Sequence, residues 1–492
     1  MKLSLRSYLG KIDIRLLSVL ILGLFLLTNN IHKPFIGHHD WNGVQYSTIG
    51  RNYLRYGLVA TKLAQLENGG IVDRSEFAVN THYPPTFPLL LSGSFKIFGI
   101  SEWSARLVSL LFSLCTVIGV YKLSEGLIGR NTGWIAALLL IVTPMFRYFA
   151  KMPVHEPIIT TFIVWAVYGY AKFRDTNQKK YWQLTAFFII GAQTIGWPGY
   201  YLLPWLFLYD WITNKKPDIK KFTPLFLGAA LIFSLFLFHN QITTGSPFGG
   251  GLGEILKFRL NILNREQHQF YGFTPRQFLK QEALWTTVFF TRVQVLLTSM
   301  YLVLWVLKKE AKQNHSGLVL LLLLYGFTHM SIFRNAAYIH DYLIFYLAPG
   351  IALAATGAIR EISNQVRKLL PTTARIIPQA IPALLVIASF WERHRFYEAL
   401  ENSSMHEIGK LVGEELKTIT KPTDTIASPT GEFALIFSRF ATFYADRSIY
   451  YYSESGKESI NADYLMIVKS KEPPGFDPAG FENGKFFYWK KL

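Results

Sequence analysis

Apolar stretches of about 15 to 24 residues recur along the whole chain, and that is the length range of helices crossing a ~30 Å hydrocarbon core. Eleven candidates can be drawn, at residues 16–30, 104–126, 132–150, 157–171, 181–197, 199–213, 222–239, 284–307, 317–333, 341–359 and 376–391. We therefore predict an all-α polytopic membrane protein with about eleven transmembrane helices.

The composition excludes several other classes of protein. Of the 492 residues only 17% are charged and 50% are hydrophobic, which rules out an ordinary soluble enzyme and a disordered chain. The single cysteine, Cys115, excludes disulfides within the chain and any CxxC zinc or redox motif.

The formal net charge of +18 could indicate nucleic-acid binding or membrane topology. Lys2, Arg6, Lys11 and Arg15 precede the first apolar stretch, which places the N-terminus inside. The dense basic clusters at 172–180, 215–221, 308–312 and 360–375 then all fall in inner loops. The charge is therefore interpreted as a topology signal, and we expect no nucleic-acid partner.

The positive-inside rule, by which basic residues gather in inner loops, also assigns the remaining segments to the outer side. The apolar stretch 86–100 is predicted to be a helix lying in the outer interface, because counting it as a span would move the basic loops outside. The first outer loop then runs over about 32–103, and another outer piece covers about 240–282. The N-terminal stretch is expected to remain as an anchor, because residues 28–30 lack a small-x-small cleavage site.

The last hundred residues change in character. We divide the chain into a transmembrane catalytic domain, 1–391, and a small α/β domain, 392–492, outside the cytoplasmic membrane. In the second domain an amphipathic pattern predicts a helix at 401–418, and short apolar runs predict strands at 425–427, 448–452 and 464–468.

The first candidate site is His38-His39-Asp40, which follows the first span closely. Partial desolvation at the membrane edge would suit Asp40 to act as a general base. Alternatively, Asp40 is the N-cap of a helix predicted at 44–56, and both interpretations can hold. That helix carries Arg51 and Arg55.

Three further clusters of ionisable residues fall in predicted outer turns. They are His82 within 81–85; Arg147, Lys151, His155 and Glu156; and Arg334 and His340. Charges at a membrane edge are costly unless they are paired or functional, and arginine can bind a phosphate through two parallel hydrogen bonds. Each cluster also has a structural alternative. The segment 81–85 could be an ordinary proline-stiffened helix start, and Arg147 and Lys151 could be snorkelling to the interface. The segment with Arg334 and His340 could belong to an aromatic belt.

Several of these motifs resemble one family in their order and sidedness. Asp40 in a long first outer loop, His82-Tyr83-Pro84-Pro85, the segment 99–107 and His155-Glu156-Pro157 after Lys151-Met152 resemble the GT-C glycosyltransferases of family 39 type. That group includes protein O-mannosyltransferases and lipid A aminoarabinose transferases. The chain departs from the former because Trp41 replaces a second acid, and from the latter because His82 and Tyr83 replace an acid and a lysine.

The resemblance implies a polyprenyl-phosphate-linked sugar donor, an outward-facing active site and an essential aspartate at Asp40. The acceptor would be a protein, lipid or glycan, and direct displacement would invert the anomeric centre. We predict Asp40 as the general base. The candidates for binding the donor phosphate or sugar are Arg51, Arg55, His82, Arg147, Lys151, His155, Glu156, Arg334 and His340.

Two questions stay open at this point. A divalent metal is possible, since His38, His39, His82 and His155 are potential ligands, although their spacing matches no recognised pattern. The competing functions are a membrane transporter, which would place ionisable groups inside spans, and an O-antigen-ligase-type transferase, which would place its chemistry on a large later loop.

Overall fold

The computed structural model of the protein describes residues 13–216, 218–260, 273–307, 316–371, 374, 376–429, 434–452, 462–469, 472 and 475–492. The basic residues Lys2, Arg6 and Lys11, and the cluster at 308–312, lie outside the described residues.

The described chain is mostly helical up to residue 401. In the first half the helices are α1 (Ile14–Leu27), α2 (Trp41–Tyr56), α3 (Leu58–Thr61), α4 (Thr86–Phe98), α5 (Glu102–Leu127), α6 (Gly133–Val142), α7 (Pro144–Phe149), α8 (His155–Thr176), α9 (Lys179–Gln193), α10 (Leu202–Asn214) and α11 (Ile219–Thr244). They are followed by α12 (Leu252–Arg259), α13 (Pro275–Phe289), α14 (Arg292–Leu307), α15 (Gly317–Ile332), α16 (Arg334–Ile339), α17 (Ala348–Leu369), α18 (Ile376–Glu392) and α19 (His394–Glu401). Short 3₁₀ segments occur at Arg74–Glu76, Trp197–Tyr200 and Asp341–Leu347, and β1 (Gln65–Leu66) pairs with β2 (Val79–Asn80).

Several of these helices can cross a bilayer, as expected of a multi-pass membrane protein. Among the described residues, Glu102–Leu127, Ile219–Thr244 and Asp341–Leu369 are long and apolar enough, and two bent helix pairs raise the number to five. Four shorter apolar helices accompany them. The count of eleven spans stays a prediction.

The stretch 284–307, predicted as one span, is broken in the structure. α13 and α14 meet at 112°, and Thr291 between them has φ +66°. The carboxylate of Glu392 accepts hydrogen bonds from the backbone N–H groups of Arg292 and Val293, at 2.9 and 3.1 Å. A carboxylate at this position satisfies first-turn N–H groups that have no partner within the helix, so a new helix starts there.

The helix predicted at 86–100 is present as α4. It ends at Gly99, whose φ of +80° suits glycine, and α5 follows with a capping box between Ser101 and Ser104. α4 packs closely on α2, because a Cβ at Gly50 would lie 3.1 Å from Leu91 and 3.2 Å from Phe95. Its location in a membrane interface stays a prediction.

The end of the chain forms a mixed sheet flanked by helices. Its elements are α20 (Glu407–Ile419), β3 (Thr425–Pro429), α21 (Ala434–Ala445), β4 (Ser448–Tyr452), β5 (Tyr464–Val468), β6 (Glu482–Asn483) and β7 (Phe487–Lys491). The strand order is β4-β3-β5-β7-β6, with β3 parallel to both neighbours and β7 antiparallel to both of its own. The three predicted strands are confirmed in position, whereas β6 and β7 were not predicted.

This sheet unit has its own apolar core, which includes Val412, Ile426 and Phe487. The helix predicted at 401–418 is present as α20 but begins later, at Glu407, and Glu401 is the last residue of α19. In α19, Tyr397 and Leu400 belong to the main helical core. The described chain therefore continues the helical body up to residue 401, and the separate core begins with α20.

Candidate active site

Asp40 is buried at the turn that precedes α2. Its Oδ2 accepts hydrogen bonds from the backbone N–H groups of Ile36 and Gly37, at 3.0 and 2.7 Å, and its Oδ1 lies 3.5 Å from Arg106 Nη2. Although Asp40 is at the N-cap position, its side chain makes no capping hydrogen bond with α2. The carboxylate instead holds the turn before the helix against α5.

The cavity beside Asp40 is too small for a sugar. Its volume is about 20 Å³, which is room for about one water molecule. The lining residues are Asn30, Lys33, Gly37, Asp40, Arg106, Tyr148, Lys151, Met152 and Glu401. Within the described structure Asp40 therefore faces a compact network of charges.

Lys151 and Glu401 form the buried centre of that network. The Lys151 ammonium contacts the Glu401 carboxylate and donates to the Asn29 carbonyl at 2.6 Å, and each partner is 4% exposed. Burial lowers the pKa of Lys151, and the Glu401 charge opposes that shift. The pair fixes α19 to the loop between α7 and α8.

Removing one member of this pair is expected to destabilise the protein strongly. Lys151→Met leaves the Glu401 carboxylate buried without its cation, which costs about 3–5 kcal/mol. The double variant Lys151→Met/Glu401→Leu removes both charges and should recover most of the loss. Thermal unfolding in detergent, followed by tryptophan fluorescence, measures both effects, and a double variant no more stable than the single one would contradict this account.

Arg147 is also held inside the protein. Its guanidinium lies 3.5 Å from the centre of the Tyr397 ring and 4.8 Å from that of Phe390, and the residue is 4% exposed. Such contacts stabilise a cation that has little access to water. The interpretation of Arg147 and Lys151 as snorkelling residues is therefore wrong, because both heads are buried among protein partners.

Arg51 and Arg55 bind the sheet unit to α2. Arg51 Nη2 lies 2.9 Å from Asp446 Oδ1, its Nη1 donates to the Phe443 carbonyl at 3.0 Å, and Arg55 contacts the other oxygen of Asp446. Burial lowers the pKa of Arg51 to about 10, and the Asp446 charge opposes this shift. Both arginines are thus engaged away from the Asp40 cavity.

A second group of polar residues surrounds Arg259, the last residue of α12. Arg259 Nη1 donates to the Tyr83 hydroxyl at 2.9 Å, and the Tyr83 ring stacks on His155 at 4.2 Å between ring centres. Glu156 follows His155 in the first turn of α8, and the Arg259 charge acts on its carboxylate. We call Tyr83, His155, Glu156 and Arg259 the Arg259 cluster.

Glu156 is the carboxylate of this cluster. It is 4% exposed, and among the described residues its Oε2 has no hydrogen-bond partner and the side chain makes no ion pair. Lys151, five residues earlier in the chain, pairs instead with Glu401. Glu156 therefore retains an oxygen that can accept a proton.

His82 lies beside the cluster, and its backbone carbonyl accepts a hydrogen bond from Trp197 Nε1 at 2.8 Å. Burial, together with the charge of Arg259, lowers the pKa of His82 to about 4. Its imidazole is uncharged at neutral pH and can contact a ligand only through neutral hydrogen bonds.

The fourth predicted set is divided by the structure. Arg334 is exposed at the start of α16. His340 stacks on Tyr342 at 5.3 Å, with the His39 ring 5.6 Å away. His39 Nε2 and His38 Nε2 in turn lie 3.0 and 2.7 Å from the carboxylate oxygens of Asp341.

An apolar groove adjoins the Arg259 cluster. It has a volume of about 460 Å³ and is lined by Trp197, Tyr200, Tyr201, Ala229, Ala230, Phe233, Leu256, Leu260, Ile332 and Phe333. Leu256 is on α12 and Leu260 directly follows it. One short helix therefore contributes apolar side chains to the groove and the Arg259 cation to the polar cluster.

Two solved structures share this arrangement of helices along nearly the whole chain. ArnT from Cupriavidus metallidurans bound to undecaprenyl phosphate superposes with a TM-score of 0.68 at 12% identity, covering 96% of this chain and 97% of ArnT. The archaeal oligosaccharyltransferase AglB from Archaeoglobus fulgidus, in complex with an inhibitory peptide and a dolichol-phosphate, gives 0.60 at 12% identity, covering 92% and 69%. The chain has the GT-C glycosyltransferase fold.

Sequence comparisons agree with the GT-C assignment. The family model described as dolichyl-phosphate-mannose-protein mannosyltransferase matches residues 82–240. YkcB of Bacillus subtilis (strain 168), provisionally named as a mannosyltransferase, is 24% identical over 239 residues, which is 48% of this chain and 31% of YkcB. The chain thus matches less than half the length of this curated relative. The resemblance to GT-C glycosyltransferases stated from the sequence is confirmed.

Within this GT-C fold the predicted site residues separate into two groups. His82, His155, Glu156 and His340 lie at or near the Arg259 cluster, whereas Asp40, Lys151, Arg147, Arg51 and Arg55 are held in structural pairs. Arg334 is exposed and belongs to neither group. Arg259 was missed by the sequence analysis. Its only signal was its place in the outer piece predicted at 240–282.

Proposed function

We propose that this GT-C protein transfers a sugar from a polyprenyl-phosphate donor to a hydroxyl-bearing protein, lipid or glycan on the outer side of the cytoplasmic membrane. The observation that carries the proposal is the position of α12. Leu256 and Leu260 line the apolar groove while Arg259 contacts Tyr83. A polyprenyl phosphate has two parts that match these features: an apolar chain that would lie in the groove and an anionic phosphate that would bind Arg259.

Arg259 would bind the donor phosphate. Its guanidinium offers several N–H donors in a fixed fork, which suits two oxygens of one phosphate. Negative charge grows on that phosphate as the bond to the sugar breaks, and the half-buried, pre-positioned Arg259 cation would stabilise it. ArnT and AglB, which share the fold, were solved with undecaprenyl phosphate and a dolichol-phosphate respectively.

The surroundings of Arg259 suit a sugar rich in hydroxyl groups. Several buried polar atoms there have no partner among the described residues: Glu156 Oε2, His155 Nε2, His329 Nδ1, His340 Nδ1, Tyr325 Oη and Tyr346 Oη. Their electrostatic coupling to Arg259 or to Glu156 places them in one region. Buried polar atoms are nearly always hydrogen-bonded, so this set supports a polar ligand.

Glu156 would accept the proton of the acceptor hydroxyl. The acceptor oxygen forms a bond to the anomeric carbon as the bond from that carbon to the phosphate oxygen breaks, and the polyprenyl phosphate leaves with the electron pair. Attack from the face opposite the phosphate inverts the anomeric centre. In this scheme Asp40, whose oxygens bind backbone N–H groups and Arg106, positions the first loop.

Blocking the groove tests the donor assignment. Ala230 lines the groove, and the adjacent Leu231 is 59% exposed on the outside of α11. Ala230→Trp should weaken binding of a long-chain polyprenyl phosphate on the order of 10- to 100-fold, because it displaces several buried methylene groups. A donor with one or two isoprene units should be much less affected.

Leu231→Trp is the matched control and should change neither affinity. Binding is measured on purified protein in nanodiscs with the two lipid phosphates. Equal effects of the two tryptophans, or equal losses for long and short chains, would contradict the assignment of the groove to the lipid.

A further inference from the structure

We propose that His38, His39 and Asp341 bind one divalent transition-metal ion. The three side chains each offer a ligand atom, and these atoms all lie within 4.8 Å of one another. His38 Nε2 is 2.7 Å from Asp341 Oδ2, and His39 Nε2 is 3.0 Å from Asp341 Oδ1. Two imidazoles and one carboxylate form a donor set typical of zinc and related ions.

Two separate parts of the chain hold this donor set in place. The histidines lie in the turn before α2, where the Tyr148 hydroxyl donates to the His38 carbonyl at 2.8 Å and His39 has φ +57°. Asp341 begins a buried 3₁₀ segment and is 7% exposed. Ligands fixed by packing in this way are positioned before an ion arrives.

A second observation concerns the charge around Asp341. Glu282 is 4% exposed, neither of its carboxylate oxygens has a partner among the described residues, and its charge interacts with that of Asp341. Two buried carboxylates without a lysine or arginine partner are costly, and a divalent cation bound at Asp341 would offset their charge.

Binding requires only a small rearrangement. Tetrahedral ligands at about 2.0–2.2 Å from an ion are roughly 3.3–3.6 Å apart, so the two contacts with Asp341, now 2.7 and 3.0 Å, would lengthen by about 0.3–0.9 Å. His39 Nδ1 accepts a long hydrogen bond from Trp41 Nε1, at 3.4 Å, which puts the imidazole proton on Nε2. The ion would displace that proton and weaken this contact.

The position of the ion gives it access to a further ligand. Three protein ligands leave one tetrahedral position open, as in zinc sites that take part in chemistry. The His39 ring lies 4.9 Å from Tyr342, which interacts electrostatically with Glu156 and Arg259. The ion would therefore border the Arg259 cluster, although the site itself does not depend on the transferase proposal.

The test is metal binding by the full chain in detergent, stripped with a chelator and titrated with Zn²⁺ or Co²⁺. We expect one ion per chain by elemental analysis and the visible absorption of tetrahedral Co²⁺. His39→Ala and Asp341→Asn should each lower the metal affinity by more than about 100-fold. Mutating a residue that only hydrogen-bonds to a metal ligand already costs about 10- to 100-fold, and loss of a ligand itself should cost more. His38→Gln provides a third variant in case one of these fails to fold.

The matched control is His32→Ala. His32 is an exposed histidine of the same loop whose ring lies 6.0 Å from that of Trp103, and its removal should leave metal affinity unchanged. Thermal unfolding of the stripped proteins checks that each variant is folded. Less than stoichiometric metal in the wild type, or equal affinity in the folded His39, Asp341 and His32 variants, would overturn the proposal in favour of a plain histidine–aspartate contact.

Discussion

Arg259→Ala is expected to lower sugar transfer by about 10²–10³-fold, the range observed when one donor to a developing oxyanion is removed. Arg259 donates to Tyr83 and directly precedes Leu260, which lines the apolar groove. Its loss should weaken both donor binding and stabilisation of the leaving phosphate. The measurement is consumption of lipid-linked sugar by the purified protein, with kcat and KM determined separately.

Two further variants distinguish phosphate binding from a general charge effect. Arg259→Lys keeps the charge but loses the planar fork, so intermediate activity is expected. Lys257→Ala removes an exposed cation from the same helix and should leave transfer near the wild-type rate. Equal losses for Lys257→Ala and Arg259→Ala would show that the helix contributes only charge near the membrane.

Glu156→Gln is expected to lower kcat by about 10²–10⁴-fold, the usual contribution of a general base. Glutamine preserves the shape of Glu156 and removes its ability to take a proton. Glu156 is preferred to Asp40 because its Oε2 has no partner among the described residues, whereas Asp40 accepts two backbone hydrogen bonds and faces Arg106.

Asp40→Asn is the direct comparison. Because an amide can keep only part of the contacts of Asp40, we expect lower thermal stability and a smaller loss of kcat than for Glu156→Gln. The pH dependence of kcat should lose its acidic limb in Glu156→Gln alone. A large loss of kcat in a stable Asp40→Asn protein, with Glu156→Gln near normal, would reinstate Asp40 as the base predicted from the sequence.

Local patterns predicted much of the fold. The apolar run 86–100 and the short apolar runs near 425, 448 and 464 correspond to α4, β3, β4 and β5. Hydrophobic periodicity reports such elements because each buries one face against its neighbours. The break between α13 and α14 was not predictable in this way, because the carboxylate of Glu392 caps α14 from a hundred residues further along the chain.

The site was less predictable, because its contacts join distant parts of the chain. Lys151 and Glu156 are five residues apart in the chain. Lys151 nevertheless forms an ion pair with Glu401, whereas Glu156 interacts electrostatically with Arg259. Arg55 likewise meets Asp446 in the sheet unit. Residue types predicted that ionisable groups gather near one set of loops, but only tertiary structure shows which cations remain available for a ligand.

The central claim is that α12 joins a lipid groove to a phosphate-binding cation, and binding of undecaprenyl phosphate tests it most directly. Native mass spectrometry of the purified protein with undecaprenyl phosphate should show one bound lipid per wild-type chain. The account predicts that this adduct is largely lost in Arg259→Ala and retained in Lys257→Ala. An undiminished adduct in Arg259→Ala, or no adduct in the wild type, would contradict it.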